Sequence, residues 1–511
     1  MVRIRADRDT FVARISISLP FMLRPIMFVG TASNVGKSVI TAGFCRIFRQ
    51  DGHRPAPFKA QNMSLNSYAT PEGLEIGRAQ AVQAEAAGIP CHVDMNPVLL
   101  KPTSDQASQV VLNGRPIGMQ SAYEYFRAND RHELFQAATQ AYDRLAARYA
   151  PIVLEGAGSI SELNLKRRDI TNLRMARHAG AATYLIADID RGGVFGSVFG
   201  TLALLEPEEK ACIKGIIINK FRGDARLFED GRQQLAELTG VPVVGVLPYF
   251  RDIFIEEEDS VALARKQRQA GPAGRVRVAV VLLGRLSNFT DFDALAHDPR
   301  ADLFFTRDAA EIGGADVIIL PGSKNTIADL LALTRSGLGA TIAQARRAGK
   351  TVVGICGGYQ MLGHSVEDPD AVESAVPAAV GLGLLPVRTV LHGEKTTRQR
   401  RFTLLNGAVA DCTGYEIHLG RTIPVGLPQP VATLDDGTPD GYFADARCWG
   451  TYLHGILDNA AVIDALLAPY TNQPAAAPID FAAFKDAQYD RLADLIRANV
   501  DMEQIYAALQ R

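Results

Sequence analysis

Ile26-Met27-Phe28-Val29 runs directly into Gly30-Thr31-Ala32-Ser33-Asn34-Val35-Gly36-Lys37-Ser38, and residues 39–49 continue as a helix-forming stretch. A short apolar run closed by a glycine-rich loop and a helix reads as a buried strand feeding a phosphate-binding turn. The chemistry of such a turn needs each residue type in order. Glycines leave backbone N–H groups uncovered, a helix N-terminus favours negative charge, a lysine reaches the outer phosphates, and a hydroxyl ligates Mg²⁺. Gly30, Thr31, Gly36, Lys37 and Ser38 are therefore the candidate ATP contacts, with Ser38 also a candidate metal ligand. Five residues separate Gly30 from Gly36, one more than the usual spacing of this motif.

Outward from this loop, apolar runs of strand length recur at 152–154, 183–187, 215–218, 243–247, 278–283, 317–320 and 352–355, with helical stretches between many of them. That alternation predicts an α/β protein with mainly parallel sheets, whose sites gather at the carboxyl ends of strands. Glu155 ends one run and is a candidate second Mg²⁺ ligand. Lys59 is placed either to reach phosphate or substrate or to be solvated. Asp188, Asp190 and Arg191 end another run, where the acids bind metal or ligand, or cap a helix. Asn219-Lys220 is a weak base-reading signal.

A second chemistry lies further on. Val352-Val353-Gly354-Ile355-Cys356-Gly357-Gly358 is a strand that turns sharply into a helix. The glycines permit the tight backbone that presents a nucleophile, and the helix N-terminus favours the thiolate. The thiol needs an imidazole, and His454 in Trp449-Gly450-Thr451-Tyr452-Leu453-His454-Gly455 stands at the end of an apolar run, ahead of His364, His392 and His418. An orienting acid two residues on is absent, since that position is Ile456; Asp458 is the nearest acid, and the orienter stays open. Gly357, and Gly322 in the Leu320–Thr326 loop, are the candidate oxyanion-hole donors.

Bulk properties narrow the alternatives. A net charge of −2 gives no basic field for nucleic acid, and no apolar run approaches the length of a membrane span. Six cysteines in 511 residues, none in C-x-x-C, point to free thiols in a reducing cytoplasm rather than a zinc site. Residues 1–24 carry five arginines without a continuous apolar stretch, and are expected to lie outside the fold as an N-terminal extension. The remaining boundaries are expected at 25–265 for an ATP-binding domain, 275–473 for a thiol-bearing domain and 480–511 for a helical tail, with polar Gly- and Pro-punctuated linkers near 262–275 and 474–480. A homo-oligomer is compatible with this composition, which does not fix the assembly.

From about Ile26 to 474 these motifs together resemble the cobyric acid synthase family, glutamine-hydrolysing enzymes of cobalamin biosynthesis. The resemblance is carried by the phosphate loop, which has the extra residue of the dethiobiotin-synthetase-like variant, by Glu155-Gly-Ala-Gly-Ser159, Asp188-Ile-Asp-Arg-Gly-Gly-Val-Phe195 and Ile218-Asn-Lys-Phe-Arg-Gly-Asp224, and by Leu320-Pro-Gly-Ser-Lys-Asn-Thr326, Gly354-Ile-Cys-Gly-Gly-Tyr-Gln360, Gly414-Tyr-Glu-Ile-His-Leu-Gly-Arg-Thr422 and Gly450-Thr-Tyr-Leu-His-Gly455. It implies an N-terminal P-loop domain joined to a C-terminal class I (triad-type) glutamine amidotransferase domain, with Cys356 as nucleophile and His454 as base. It also implies ATP and Mg²⁺ as cofactors, L-glutamine and a corrinoid as substrates, and amidation of the b, d, e and g carboxylates of adenosylcobyrinic acid a,c-diamide. The rivals are the sister enzyme amidating positions a and c, and a regulatory P-loop ATPase; the latter places an extra lysine early in the loop, where this chain has Thr31-Ala32-Ser33. No role follows from the sequence for Tyr415-Glu416-Ile417-His418.

Overall fold

The computed structural model describes residues 23–103, 107–121, 131–256, 274–404, 409–471 and 479–510. The proposed extension up to residue 22 and most of both expected linkers lie outside these residues. Leu23 and Arg24, assigned above to the extension, belong to the first body instead. Leu23 is buried in its core, and the Arg24 N–H donates to the Leu509 carbonyl at 3.0 Å.

The first body is a six-stranded parallel sheet. Its strands are β1 (Ile26–Gly30), β2 (Ala56–Phe58), β3 (Ile152–Glu155), β4 (Ala182–Asp188), β5 (Ile213–Phe221) and β6 (Val243–Pro248), in the spatial order β6-β5-β4-β1-β3-β2. The strands are apolar along most of their length because helices cover both faces, which leaves no solvated side to alternate toward. Residues 37–50 form helix α1 (Lys37–Gln50), a little longer than the expected 39–49. The register pairs Phe28 with Glu155 and Gly30 with Ile186, so Glu155 stands at the carboxyl edge beside the phosphate loop. A smaller sheet that sequence periodicity did not announce joins Gln61–Met63 and Val98–Pro102 and extends through two further strands beyond them.

The second body is a sheet of β7 (Val276–Val281), β8 (Ala301–Thr306), β9 (Val317–Leu320), β10 (Thr351–Ile355), β11 (Tyr442–Asp445) and β12 (Cys448–Thr451), ordered β8-β7-β9-β10-β12-β11; only the pairing of β11 with β12 is antiparallel. Beside it stands a long two-stranded ribbon of residues 387–404 and 409–424, to which Leu453–His454 adds as a short third strand.

The chain then returns to where it began. Helix α2 (Phe481–Asn499) packs on α1, burying Leu492 and Ile496 in the core of the first body rather than trailing as a tail. The approach is close: a Cβ on Gly43 would stand 2.2 Å from Ile496 Cδ1. Arg46 fixes the angle by pairing with Asp486 at 2.8 Å and Asp490 at 2.6 Å. Among the described residues, no helix is long and apolar enough to cross a membrane.

The candidate active sites

At the first site, the loop after β1 wraps Lys37 back onto its own backbone. Its ammonium donates to the carbonyls of Ala32 at 3.0 Å and Gly158 at 2.9 Å. Gly36 has to be glycine twice over: its φ is 99°, and a Cβ there would stand 2.2 Å from Asn219 Nδ2. Asn219 itself donates to the Val35 carbonyl at 2.8 Å, so it props the loop. Ser38 Oγ donates to Glu155 Oε1 at 2.8 Å, which brings the expected hydroxyl and carboxylate together. Lys59 lies against the same oxygen at 2.8 Å, and Gln83 donates to Glu155 Oε2 at 2.6 Å. Burial alone would push Glu155 up; the Lys59 ammonium and the hydrogen bonds from Gln83 and Ser38 outweigh it and hold the carboxyl below its usual range. A serine hydroxyl and an ionised carboxylate beside a phosphate loop suit Mg²⁺, which takes few protein ligands and keeps substrate oxygens and water.

Asp188 and Asp190 are committed elsewhere. Asp188 pairs with Lys220 at 2.9 Å, and Asp190 pairs with Arg222, so both act as braces for the neighbouring strand end. Arg191 lines the cleft, whose volume is about 1460 Å³ and whose wall runs from Lys37 and Glu155 to Phe289 of the second body. That exceeds the ~300–1,000 Å³ of an ordinary small-molecule pocket and leaves room for a second, bulky substrate beside a nucleotide.

At the second site, Cys356 sits between β10 and the helix Gly357–Leu362 with φ 50° and ψ −110°, a strained conformation for a residue with a side chain. Gly358 makes the turn possible, because a Cβ there would overlap the Leu320 carbonyl oxygen at 1.9 Å. The Cys356 thiol lies 3.6 Å from the Ile417 carbonyl and lines one pocket with the His454 imidazole.

The orienting acid is Asp291, which sequence reasoning missed. His454 Nδ1–H donates to Asp291 Oδ2 at 2.6 Å, while Asp291 Oδ1 accepts the Gly455 N–H at 3.0 Å. Burial opposes charge on His454, but Asp291 and Cys356 overcome it and push the imidazole up to about 10. Asp458, the nearest acid in sequence, faces Lys485 and Arg78 instead. A signal for Asp291 did exist: it lies in Phe289–Phe292, shortly past the carboxyl end of β7, where sites of this fold gather.

The oxyanion donors also need refinement. Lys324 N–H donates to the Arg285 carbonyl at 2.9 Å, and Ser323 and Gly322 pair with Leu286 and Ser287. The alternation of an antiparallel ladder then ties the Gly322 N–H to Ser287 and turns that of Ser323 outward. A Cβ on Gly357 would stand 2.9 Å from Ser323 N, so Ser323 rather than Gly322 is the donor that faces Gly357.

Tyr415-Glu416-Ile417-His418 acquires a place here. Tyr415 stacks on His454 with ring centroids 5.3 Å apart, and Tyr68 of the first body packs edge-on against Tyr415 at 4.7 Å. The junction is sewn by Phe289 N–H to Asn66 Oδ1 at 3.1 Å and by Ser67 N–H to Asn288 Oδ1 at 3.1 Å.

Comparison with known proteins agrees with the two bodies. The CobQ/CobB/MinD/ParA nucleotide binding domain family matches residues 26–261, and the CobB/CobQ-like glutamine amidotransferase domain family matches residues 277–462. Cobyric acid synthase of Parabacteroides distasonis is 62% identical, over 96% of this chain and 99% of the relative. That of Bacteroides fragilis is 61% identical over 95% and 98%, and that of Syntrophobacter fumaroxidans is 48% identical over 94% and 98%. Matched almost end to end at these identities, the chain belongs to the cobyric acid synthase family.

Proposed function

We propose that this chain uses ATP and glutamine to amidate the b, d, e and g carboxylates of adenosylcobyrinic acid a,c-diamide, giving adenosylcobyric acid. The observation that carries the reading is Cys356 sharing a pocket with His454, itself hydrogen-bonded to Asp291, in one polypeptide with the Gly30–Ser38 loop. The Cys356 thiolate attacks the γ-carboxamide carbon of glutamine. The N–H groups of Gly357 and Ser323 receive the developing oxyanion. The His454 imidazolium gives its proton to the departing ammonia, leaving a glutamyl thioester that water hydrolyses to glutamate and free thiol.

Ser38 and Glu155 would hold the Mg²⁺ that accompanies ATP, and the bound nucleotide supplies the phosphoryl group that activates a corrinoid carboxylate for attack by ammonia. Lys59 keeps Glu155 ionised for that task, and Lys37 stands at the loop to meet the outer phosphates. The volume of the cleft supports rebinding of the macrocycle in several poses.

The test is mass spectrometry of the corrinoid after incubation with enzyme, ATP, Mg²⁺ and glutamine. Successive carboxyl-to-amide mass decrements are expected from the a,c-diamide. Consumption of the undecorated acid at positions a and c alone would refute the assignment. Cys356→Ala is expected to abolish synthesis from glutamine and keep synthesis from ammonium; retained glutamine hydrolysis would refute the role of Cys356.

A further inference from the structure

Three lysines and two glutamates meet at the pocket in front of Cys356. Lys101 comes from the strand Val98–Pro102 of the first body, Lys395 from the ribbon, and Lys324 directly follows Ser323. Glu75 is gripped between two of them, by Lys101 at 2.6 Å and Lys395 at 2.5 Å, and Lys101 also donates to Ser67 Oγ at 2.8 Å. Those groups satisfy one another. Lys324 is different. It is only 8% exposed, and its ammonium has no hydrogen-bond or salt-bridge partner among the described residues. A buried unpaired ammonium costs several kcal/mol to keep. Burial, then the nearby Lys395, lowers its affinity for the proton.

Glu373 lines the same pocket. Its Oε2 accepts the Thr326 N–H at 2.8 Å, and burial pushes its carboxyl up to about 7. Lys324 and Glu373 thus attract each other across the pocket without a direct contact, beside the nucleophile.

We propose that Lys324 and Glu373 are the receptors for the α-carboxylate and the α-ammonium of glutamine. The two charges of a zwitterionic amino-acid end complement these two separated groups, while the γ-carboxamide reaches Cys356. Lys101 and Lys395, neutralised in part by Glu75, keep the surroundings of the carboxylate positive. The first body thereby helps to form the glutamine pocket. The inference rests on reading Cys356 as the glutaminase nucleophile.

The experiment measures hydrolysis of three substrates by the full-length enzyme: L-glutamine, 4-aminobutanamide, which lacks the α-carboxylate, and glutaramate, which lacks the α-ammonium. Lys324→Gln is expected to raise KM for glutamine by on the order of 10- to 100-fold, the range of a lost charge-assisted hydrogen bond, with kcat little changed and KM for 4-aminobutanamide unmoved. Glu373→Gln is expected to raise KM for glutamine and leave that for glutaramate unmoved. Lys324→Arg is expected to recover much of the loss. A thermal midpoint near that of the parent separates these effects from misfolding. If Lys324→Gln penalises glutamine and 4-aminobutanamide equally, or penalises neither, the assignment falls. Glutaminase activity persisting in Cys356→Ala would instead overturn the underlying site.

Discussion

Asp291→Asn is the sharpest probe of the glutaminase site, because it keeps shape and removes one charge. Asp291 Oδ1 already accepts the Gly455 N–H at 3.0 Å, so the amide oxygen stays there and the new NH₂ faces His454 Nδ1. Nδ1 must then offer its lone pair, which moves the ring proton to the nitrogen facing Cys356. A neutral imidazole in that tautomer cannot take the thiol proton, and an imidazolium would meet an N–H donor. Losing one partner of a buried, hydrogen-bonded charge pair costs about 2–5 kcal/mol, and the 2.6 Å contact between two almost fully buried groups argues for the middle of that range. About 3 kcal/mol corresponds to roughly 100-fold in kcat/KM for glutamine. The pH profile moves as well. With His454 pushed up to about 10, its proton is present below that pH and is lost as pH rises through it, so the parent loses its general acid only on the alkaline side. Without the Asp291 charge, that alkaline limb shifts to lower pH. Glutamate release measured across pH tests both effects. A near-parental kcat/KM with an unmoved alkaline limb would refute the role given to Asp291.

The other expectations concern the first body. Glu155→Gln leaves buried Lys59 facing a neutral amide and is expected to cut ATP-dependent synthesis by ~100-fold or more while glutamine hydrolysis continues, read by parallel product assays. Gly36→Ala combines a φ of 99° with a Cβ 2.2 Å from Asn219 Nδ2. Strain of this kind costs on the order of 1–3 kcal/mol, so ATP affinity measured by calorimetry is expected to weaken by tenfold or more. Ile496→Ala empties a fully buried position between α2 and α1 and is expected to cost about 2–5 kcal/mol in denaturant unfolding of the first body.

What the sequence disclosed was whatever is local along the chain. The strand, loop and helix around Lys37, and the elbow around Cys356, each fit within a dozen residues, and every backbone demand there leaves a glycine or a hydroxyl in the right place. Asp291 meets His454 only because the turn Phe289–Phe292 and the short strand Leu453–His454, more than 160 positions apart, converge beyond the same sheet edge. Nothing around either residue encodes the other. Lys59, Asp188 and Asp190 were visible as charges at strand ends, but their partners Glu155, Lys220 and Arg222 come from other strands. The ribbon of residues 387–404 and 409–424 escaped notice because its residues 392–400 include a long exposed or half-buried polar run, where β-propensity and apolar alternation are both weak. The N–H that faces Gly357 lies one position beyond the expected Gly322, since only the pairing with Leu286–Ser287 distinguishes the N–H of Ser323 from that of Gly322.

The Arg24–Leu509 contact and the packing of α2 on α1 make the amidotransferase body an insertion within the other body rather than a second bead on a string. On the ribosome, the early strands emerge long before the segment that covers α1, and the nucleotide-binding half cannot close until residues 481–499 have emerged. Cutting the gene between the two bodies would strand that closing helix on the wrong fragment. A split version would have to carry residues 479–510 on the first piece, and a circular permutant joining residue 510 to residue 23 would have only a short gap to bridge.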